Sequence, residues 1–379
     1  MAGEVEQALV QGVEHINGLR RGLVVDPHPA RGGGGIALQD RSYEGDRSRR
    51  RDDGRCEPVE EANNSLPISL PRHNPCRRVA VVDRMTTSPY HAGERQVQQW
   101  LGEEPVADHH APAIRPTIPA SVAEQLLQQP LVIVSSVDAD GRVWTSVVQG
   151  APGFAHSPEP TQLALDLVLI HKSAEDVLWT NLSQQSAVSL LFIDFPTKWR
   201  FRVNGRARAA ASGWVVDIDQ AFLNCPKYLQ YHAAELPEAG VTSVAPRTMG
   251  TGFPPALSAW LRRADSFFVG SSDGAQALDT AYRGGPAGFV QLEAAGTLLV
   301  PDYVGNSMYN SLGNFALHDA AGLLFLDSAT GRALQLTGRA EVLWSGAGPM
   351  AATGGTGRYW RFTPAAWVDA PLPTALPFR

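Results

Sequence analysis

Apolar and polar positions alternate in short blocks along most of this chain, and the blocks predict strands. Residues 131–137 (LVIVSSV) and 142–149 are apolar segments joined by Asp138-Ala-Asp-Gly141, and they read as a hairpin. Residues 163–170, 187–193 and 199–208 are three further strands. In the last, Trp199, Phe201 and Val203 alternate with Arg200, Arg202 and Asn204, giving one apolar and one cationic face. Between the third and fourth strands, Ser173 caps a short helix reaching Leu182, with Glu175 and Asp176 in its first turn.

The same order then recurs. Strands are predicted at 266–271, 277–283, 289–292, 297–301, 323–327 and 333–342, with a short helix at 306–312 and one more strand at 359–363. The residues repeat as well as the pattern. LVIVSSVDADGRVWTSVVQGAPGFA at 131–155 is echoed by SFFVGSSDGAQALDTAYRGGPAGFV at 266–290, SLLFID by GLLFLD, and VNGRA by LTGRA. The offsets are nearly constant (288 − 153 = 135, 327 − 194 = 133, 338 − 205 = 133). Two copies of one unit predict a mainly β protein with short helices (α+β). They form two small antiparallel barrels packed as an intrachain pseudo-dimer, with any site at the seam.

The flanks read differently. Residues 94–101 and 121–129 are helix candidates, the second capped by Ser121 with Glu124 closing a capping box, and 103–119 is a loop. Residues 212–263 read as a helical insert with helices at 219–223, 228–235 and 256–263. Residues 1–84 hold 13 Arg, 13 acidic residues, no Lys, Phe or Trp, and one tyrosine, Tyr43. With so little to bury they read as disordered, or as a mis-called leader with Met85 as the start. The domain order is therefore 1–84 leader, 85–211 first repeat with N-terminal helices, 212–263 insert and 264–379 second repeat. The formal charge of −6 over 379 residues speaks against a nucleic-acid partner, and no apolar run suits a membrane span. Cys56, Cys76 and Cys225 show neither zinc nor disulfide spacing, which fits a cytoplasmic protein.

One segment carries candidate chemistry. In Val300-Pro-Asp-Tyr-Val-Gly-Asn-Ser-Met-Tyr-Asn310 a strand runs into a helix start, where free amides bind anions. Arg283 ends a neighbouring strand beside Gly284, and an arginine fork next to a helix start suits phosphate. The bland alternative is a capped helix and a surface arginine. Cys225 reads as a structural thiol, and the pair His109-His110 lacks further spaced ligands, so no metal site is expected. No nucleophile elbow is present.

Several motifs occur in a familiar order: Tyr282-Arg-Gly-Gly-Pro-Ala-Gly-Phe289, Pro301-Asp-Tyr-Val-Gly-Asn306, Ser311-Leu-Gly-Asn314, 322–327 and 334–340, with Ser88-Pro-Tyr-His-Ala-Gly-Glu-Arg95 and Asn224-Cys-Pro-Lys-Tyr228. Together they resemble the pyridoxamine 5′-phosphate oxidase-related FMN-binding split-barrel family, in its duplicated two-barrel branch. The resemblance covers about 85–379. It implies two tandem split β-barrels with FMN between them, and a flavin-dependent oxidoreductase of unknown substrate. FAD or a deazaflavin is the alternative cofactor, and NAD(P)H or another small molecule the electron donor or substrate. By resemblance Arg283, Gly284, Asn306, Ser307, Tyr309 and Asn310 hold the flavin phosphate end, while Lys172, Trp199 and Arg200 of the first repeat supply the opposing wall. Relatives often carry a larger basic residue where Ser307 stands. Tyr282, Tyr303 and Tyr309 are ring neighbours. The pseudo-dimer could pair again as a homodimer. A non-catalytic flavin carrier is a second reading. A haem-binding barrel, with His232 or His318 as axial ligand, is a third.

Overall fold

The computed structural model describes residues 88–376 apart from 172–174, 231–244, 255, 276 and 294–295, all within the unit Ala80–Arg379. The chain enters through three helices, α1 (Ala92–Leu101), α2 (Glu104–His110) and α3 (Ala120–Leu126). Strands β1 (Leu131–Val137), β2 (Val143–Gly150), β3 (Ala155–His156), β4 (Gln162–Asp166) and β5 (Ile170–His171) follow, then α4 (Val177–Gln184), β6 (Ala187–Asp194), β7 (Trp199–Ala210) and β8 (Gly213–Leu223). They make one antiparallel sheet in the order β3-β4-β8-β7-β6-β1-β2-β5. After β9 (Thr248–Thr251) and α5 (Leu257–Arg263) come β10 (Ser266–Ser272), β11 (Leu278–Gly284), β12 (Gln291–Leu292) and β13 (Leu298–Pro301). Helix α6 (Asn310–Leu317), β14 (Ala320–Asp327), β15 (Arg332–Leu343) and β16 (Tyr359–Pro371) complete the chain. The second sheet runs β11-β10-β14-β15-β16-β13-β12, with β9 on β16. Read in reverse this is the first sheet's order, apart from β5 and β9, which have no counterparts, so the molecule is mainly β and built as two tandem split barrels. No helix among the described residues is long and apolar enough to cross a membrane.

The unbroken apolar runs have a physical cause. Val132 and Val134 of β1 face the first barrel's core with Val188, Leu190 and Phe192 of β6. Leu131 and Ile133, on the opposite face, meet Leu191 and Ile193 in a third cluster that also holds Phe268, Tyr282 and Leu324 of the second barrel. Phe267 and Val269 face the second core. The central strands are thus buried on both faces, one toward their own barrel and one toward the seam, and alternation disappears. At the middle of the seam, Thr145 Oγ1 donates to the Gly322 carbonyl (3.1 Å) and Thr280 Oγ1 to the Ser189 carbonyl (2.9 Å), a matched pair of bonds between repeats. The VNGRA and LTGRA motifs are matched bulges, at Asn204/Gly205 and Thr337/Gly338.

Some elements differ from expectation. Residues 213–223 form strand β8, so the helix expected at 219–223 is absent. The acidic residues of this strand form ion pairs diagonally across to β7, Asp217 with Arg208 (3.0 Å) and Asp219 with Arg206 (3.3 Å). The described part of 228–235 is a turn, and 231–235 lie outside the described residues. Residues 104–110, expected as loop, are helical, and α3 begins after Pro119 with no capping side chain. Helix α6 starts at Asn310 instead of Asn306, because Ser307 and Tyr309 are left-handed (φ 64° and 59°) and cannot lie in a right-handed helix. Helix α4 is capped by Asp176, while Ser173 lies outside the described residues. The leader 1–84 also lies outside them.

Helices α1 and α6 cross at Gly93 and Gly313. A Cβ on Gly93 would sit 2.1 Å from the Gly313 carbonyl, and one on Gly313 would sit 2.6 Å from Glu94 Cα. Gly313→Ala is expected to cost about 1–3 kcal/mol by overpacking. An unchanged urea midpoint would contradict this close crossing.

Candidate functional site

The motif Ser88–Arg95 builds the floor of the site. His91 caps α1, its Nδ1 accepting from the Gly93 amide (3.1 Å), while the Glu94 carboxylate accepts from the His91 amide (2.9 Å). Gln98 donates to the Met308 carbonyl (3.1 Å), which ties α1 to the loop before α6. Glu94 also accepts from Asn310, and the Ser307 hydroxyl donates to Glu103.

Above this floor lies a buried cross-barrel ion pair. Arg202 of β7 donates to Asp279 of β11 (2.8 Å), and each residue is only 3% exposed. Arg202 also donates to Asn310 Oδ1 (2.9 Å) and Asn224 Oδ1 (3.1 Å). Asp279 accepts further bonds from Asn204 (2.9 Å) and Asn314 (3.0 Å). Buried ionic groups need this degree of satisfaction to persist. Burial, reinforced by the Asp279 charge, pushes the Glu94 carboxyl up to about 8, and burial lowers His91.

Beside the pair, at the seam, is a cavity of about 140 Å³, lined by Arg200, Arg202, Lys227, Arg283, Asn306 and Tyr309 among others. Arg283 pairs with Asp302 (3.2 Å), which Arg358 shares (3.0 Å). Arg200 is 7% exposed, lies over the Tyr282 ring (5.4 Å), and makes one long bond to the Lys227 carbonyl (3.4 Å). Burial lowers Arg200 to about 10, helped by the like charges of Arg202 and Arg283. The Nε atoms of Arg200, Arg202 and Arg283 are buried without a partner among the described residues. Three guanidiniums lining one cavity, with hydrogen-bonding capacity left over, suit an anion. Tyr228 and Tyr303 stack at the cavity (5.0 Å between ring centroids), and Tyr228, Ser307 and Tyr309 all hold positive φ. Strained backbone of this kind concentrates at binding sites.

Of the residues expected from sequence, Arg200, Arg283, Gly284, Asn306, Ser307, Tyr309 and Asn310 line this one cavity. The cationic strand face is buried here and does not face solvent. Trp199 is elsewhere, stacked on Phe201 (6.0 Å) against the first barrel's core, because strand alternation turns it away from Arg200. Lys172 lies outside the described residues. Asn310 holds Arg202 and Glu94 with both ends of its amide, so it positions the site. Cys225 lines the cavity as a free, half-buried thiol. His318 lines neither this cavity nor a second one described below, and His232 lies outside the described residues. Sequence reading missed Asp279 and Glu94. The first repeat holds Trp144 where the second holds Asp279, a carboxylate inside an apolar strand, and that contrast was the available signal.

His91, Glu94 and Asp279 bring three ligand-type atoms within 4.8 Å of one another. A metal does not fit them. His91 Nδ1 accepts a hydrogen bond, so the neutral ring carries its proton on Nε2, which is then a donor. Asp279 is already occupied by a guanidinium and two amides.

Residues 118–230, the first barrel, match the family model described as pyridoxamine 5′-phosphate oxidase. No curated protein matches the chain. Solved structures similar to parts of it include HupZ from Group A Streptococcus, at 12% identity, with 28% of this chain and 94% of that one covered and a TM-score of 0.23. Another is a protein from Lactobacillus delbrueckii described as a candidate pyridoxamine 5′-phosphate oxidase (19% identity, 28% and 95% covered, TM-score 0.23). A third is a Clostridium acetobutylicum protein related to general stress protein 26 of B. subtilis (12% identity, 30% and 80% covered, TM-score 0.20).

The raised Glu94 carboxyl generates a pH prediction. A group protonated to about 8 in the folded protein, and to the ordinary carboxylate value when unfolded, adds stability at low pH that is lost as pH rises toward 8. Melting temperatures of the wild type should therefore fall between pH 5 and 8, and Glu94→Gln should flatten that slope. An equal slope in both proteins would refute the assignment.

Proposed function

We propose that this chain, whose first barrel belongs to the pyridoxamine 5′-phosphate oxidase family, binds FMN at the arginine-lined seam and acts as a flavin-dependent oxidoreductase. The observation that carries this is the excess of buried guanidinium over carboxylate around one cavity. Arg200 has no carboxylate partner among the described residues, and Arg283 shares its aspartate with Arg358. A phosphate dianion is the natural complement. Arg283, the Asn306-Ser307 loop and the amides opening α6 would hold that phosphate, and Arg200 would face it from the other barrel. Ser307 contributes a hydroxyl and no charge, so the arginines supply the electrostatic grip. The cavity is smaller than the several hundred Å³ typical of a pocket that encloses a whole ligand, which suits capture of the phosphate-bearing end.

The flavin, when bound, supplies the hydride or electron chemistry. The chain's own residues grip, orient and shield. Burial holds the Tyr282 hydroxyl protonated, and it accepts a bond from the Gln230 amide (2.9 Å), which fixes the strap 224–230 over the cavity. NAD(P)H is the first electron donor to test. A flavin carrier without turnover would use the same grip, and activity assays separate the two.

The full chain should purify with bound FMN, visible in its absorption spectrum and identifiable after release. A colourless protein that refuses added FMN would overturn the proposal. Arg283→Ala leaves Asp302 paired with Arg358, so the variant should fold, and FMN binding should weaken by about 1.5–3 kcal/mol. Unchanged affinity would remove Arg283 from the site.

A further inference from the structure

The near-constant offset between repeats gives each residue of the arginine-lined cavity a counterpart across the seam. Strands β2 and β11 begin 135 residues apart (278 − 143), and β7 and β15, like α4 and α6, begin 133 apart (332 − 199; 310 − 177). The counterparts of Arg283, Arg200 and Arg202 are therefore Val148, Ala333 and Gln335. These three do line a second cavity, of only about 20 Å³, together with Asp176 and residues 371–373. Among the described residues that line it there is no lysine or arginine.

The two helix starts differ in the same sense. Tyr309, which opens α6, makes no capping bond with its side chain. Its counterpart Asp176 caps α4, accepting from the Leu178 amide (2.9 Å) and the Ser146 hydroxyl (2.7 Å), with Gln335 at 3.5 Å. The second seam thus carries its own carboxylate at the helix start that the first seam leaves open. The C-terminal segment occupies the remaining space. Gln149 and Thr374 exchange two bonds, Nε2 to the Thr374 carbonyl (3.1 Å) and the Thr374 amide to Oε1 (3.2 Å). The Leu372 amide donates to Gly331 (2.9 Å), and Leu372 and Leu376 are buried in the seam cluster.

We propose that the chain binds one anionic ligand, at the first seam only. The second seam is closed by internal substitutes: Asp176 for the ligand's anion and residues 371–376 for its body. Val148, Ala333, Gln335 and Asp176 are then the residues that deny the second seam to anions, and Arg283, Arg200, Arg202 and an uncapped α6 are those that admit one. The inference rests on the flavin reading only for the identity of the ligand, and its stoichiometry holds for any small phosphate.

The test is equilibrium dialysis of the full chain, stripped of any bound chromophore, with FMN and separately with inorganic pyrophosphate. One equivalent per chain is expected. Tyr309→Asp, which gives the first seam the second seam's carboxylate, should weaken both ligands by about 100-fold or more through like-charge repulsion. Should that variant fail to fold, Arg200→Ala with Arg283→Val copies Ala333 and Val148 and should give the same loss. Two equivalents per chain would overturn the inference and leave the flavin reading intact. So would Lys172→Ala weakening binding more than Arg283→Ala does. One equivalent of pyrophosphate with no binding of FMN would keep the inference and remove the flavin. No binding of either ligand would overturn both.

Discussion

The buried Arg202–Asp279 pair joins the two barrels, and the site is organised around it. Neither charge is tolerable alone at that depth, since removing one partner of a buried pair typically costs about 3–5 kcal/mol. Each partner comes from a different repeat, so the pair forms only when the barrels are docked in register. Four side-chain amides complete its hydrogen bonding, Asn204 on β7, Asn310 and Asn314 on α6 and Asn224 after β8, so these elements of the site are drawn to the pair.

The ion pair also explains the N-terminal helix. Glu94, capping its own helix, shares Asn310 with Arg202, and the Gly93–Gly313 crossing allows the approach. A segment that precedes both barrels in sequence thereby supports the second barrel's helix. The left-handed residues Ser307 and Tyr309 lie between these anchors. Each costs roughly 1–2 kcal/mol against an ordinary conformation, and the surrounding bonds hold the loop open beside the arginines.

Duplication and divergence act together at the seam. Matched hydroxyl bonds at Thr145 and Thr280, and matched bulges at Gly205 and Gly338, keep the two halves superposable. The charges are distributed unequally. One seam gathers guanidiniums, and the other gathers valine, alanine, glutamine and an internal carboxylate. A homodimer of single barrels cannot do this, because symmetry gives both seams the same residues. A duplicated chain is free to keep one.

Much of the fold was legible because its causes are local or repeated. Two-sided burial produces runs such as LVIV and LLFI, bulges require glycine, and a repeated motif order reveals two barrels without knowledge of either. Arg283, Asn306 and Tyr309 stood out by their position at a strand end and a helix start. The misreadings share one cause, which is partners distant in sequence. Residues 219–223 resemble part of a helical insert until β8 pairs with β7. Glu94 went unassigned, and Asp279 was marked only by its contrast with Trp144 of the first repeat. The sequence by itself determined the repeated architecture and the residue types available for anion chemistry. Only the tertiary structure decided which of them converge, because ion pairing and desolvation depend on distances between residues that are far apart along the chain.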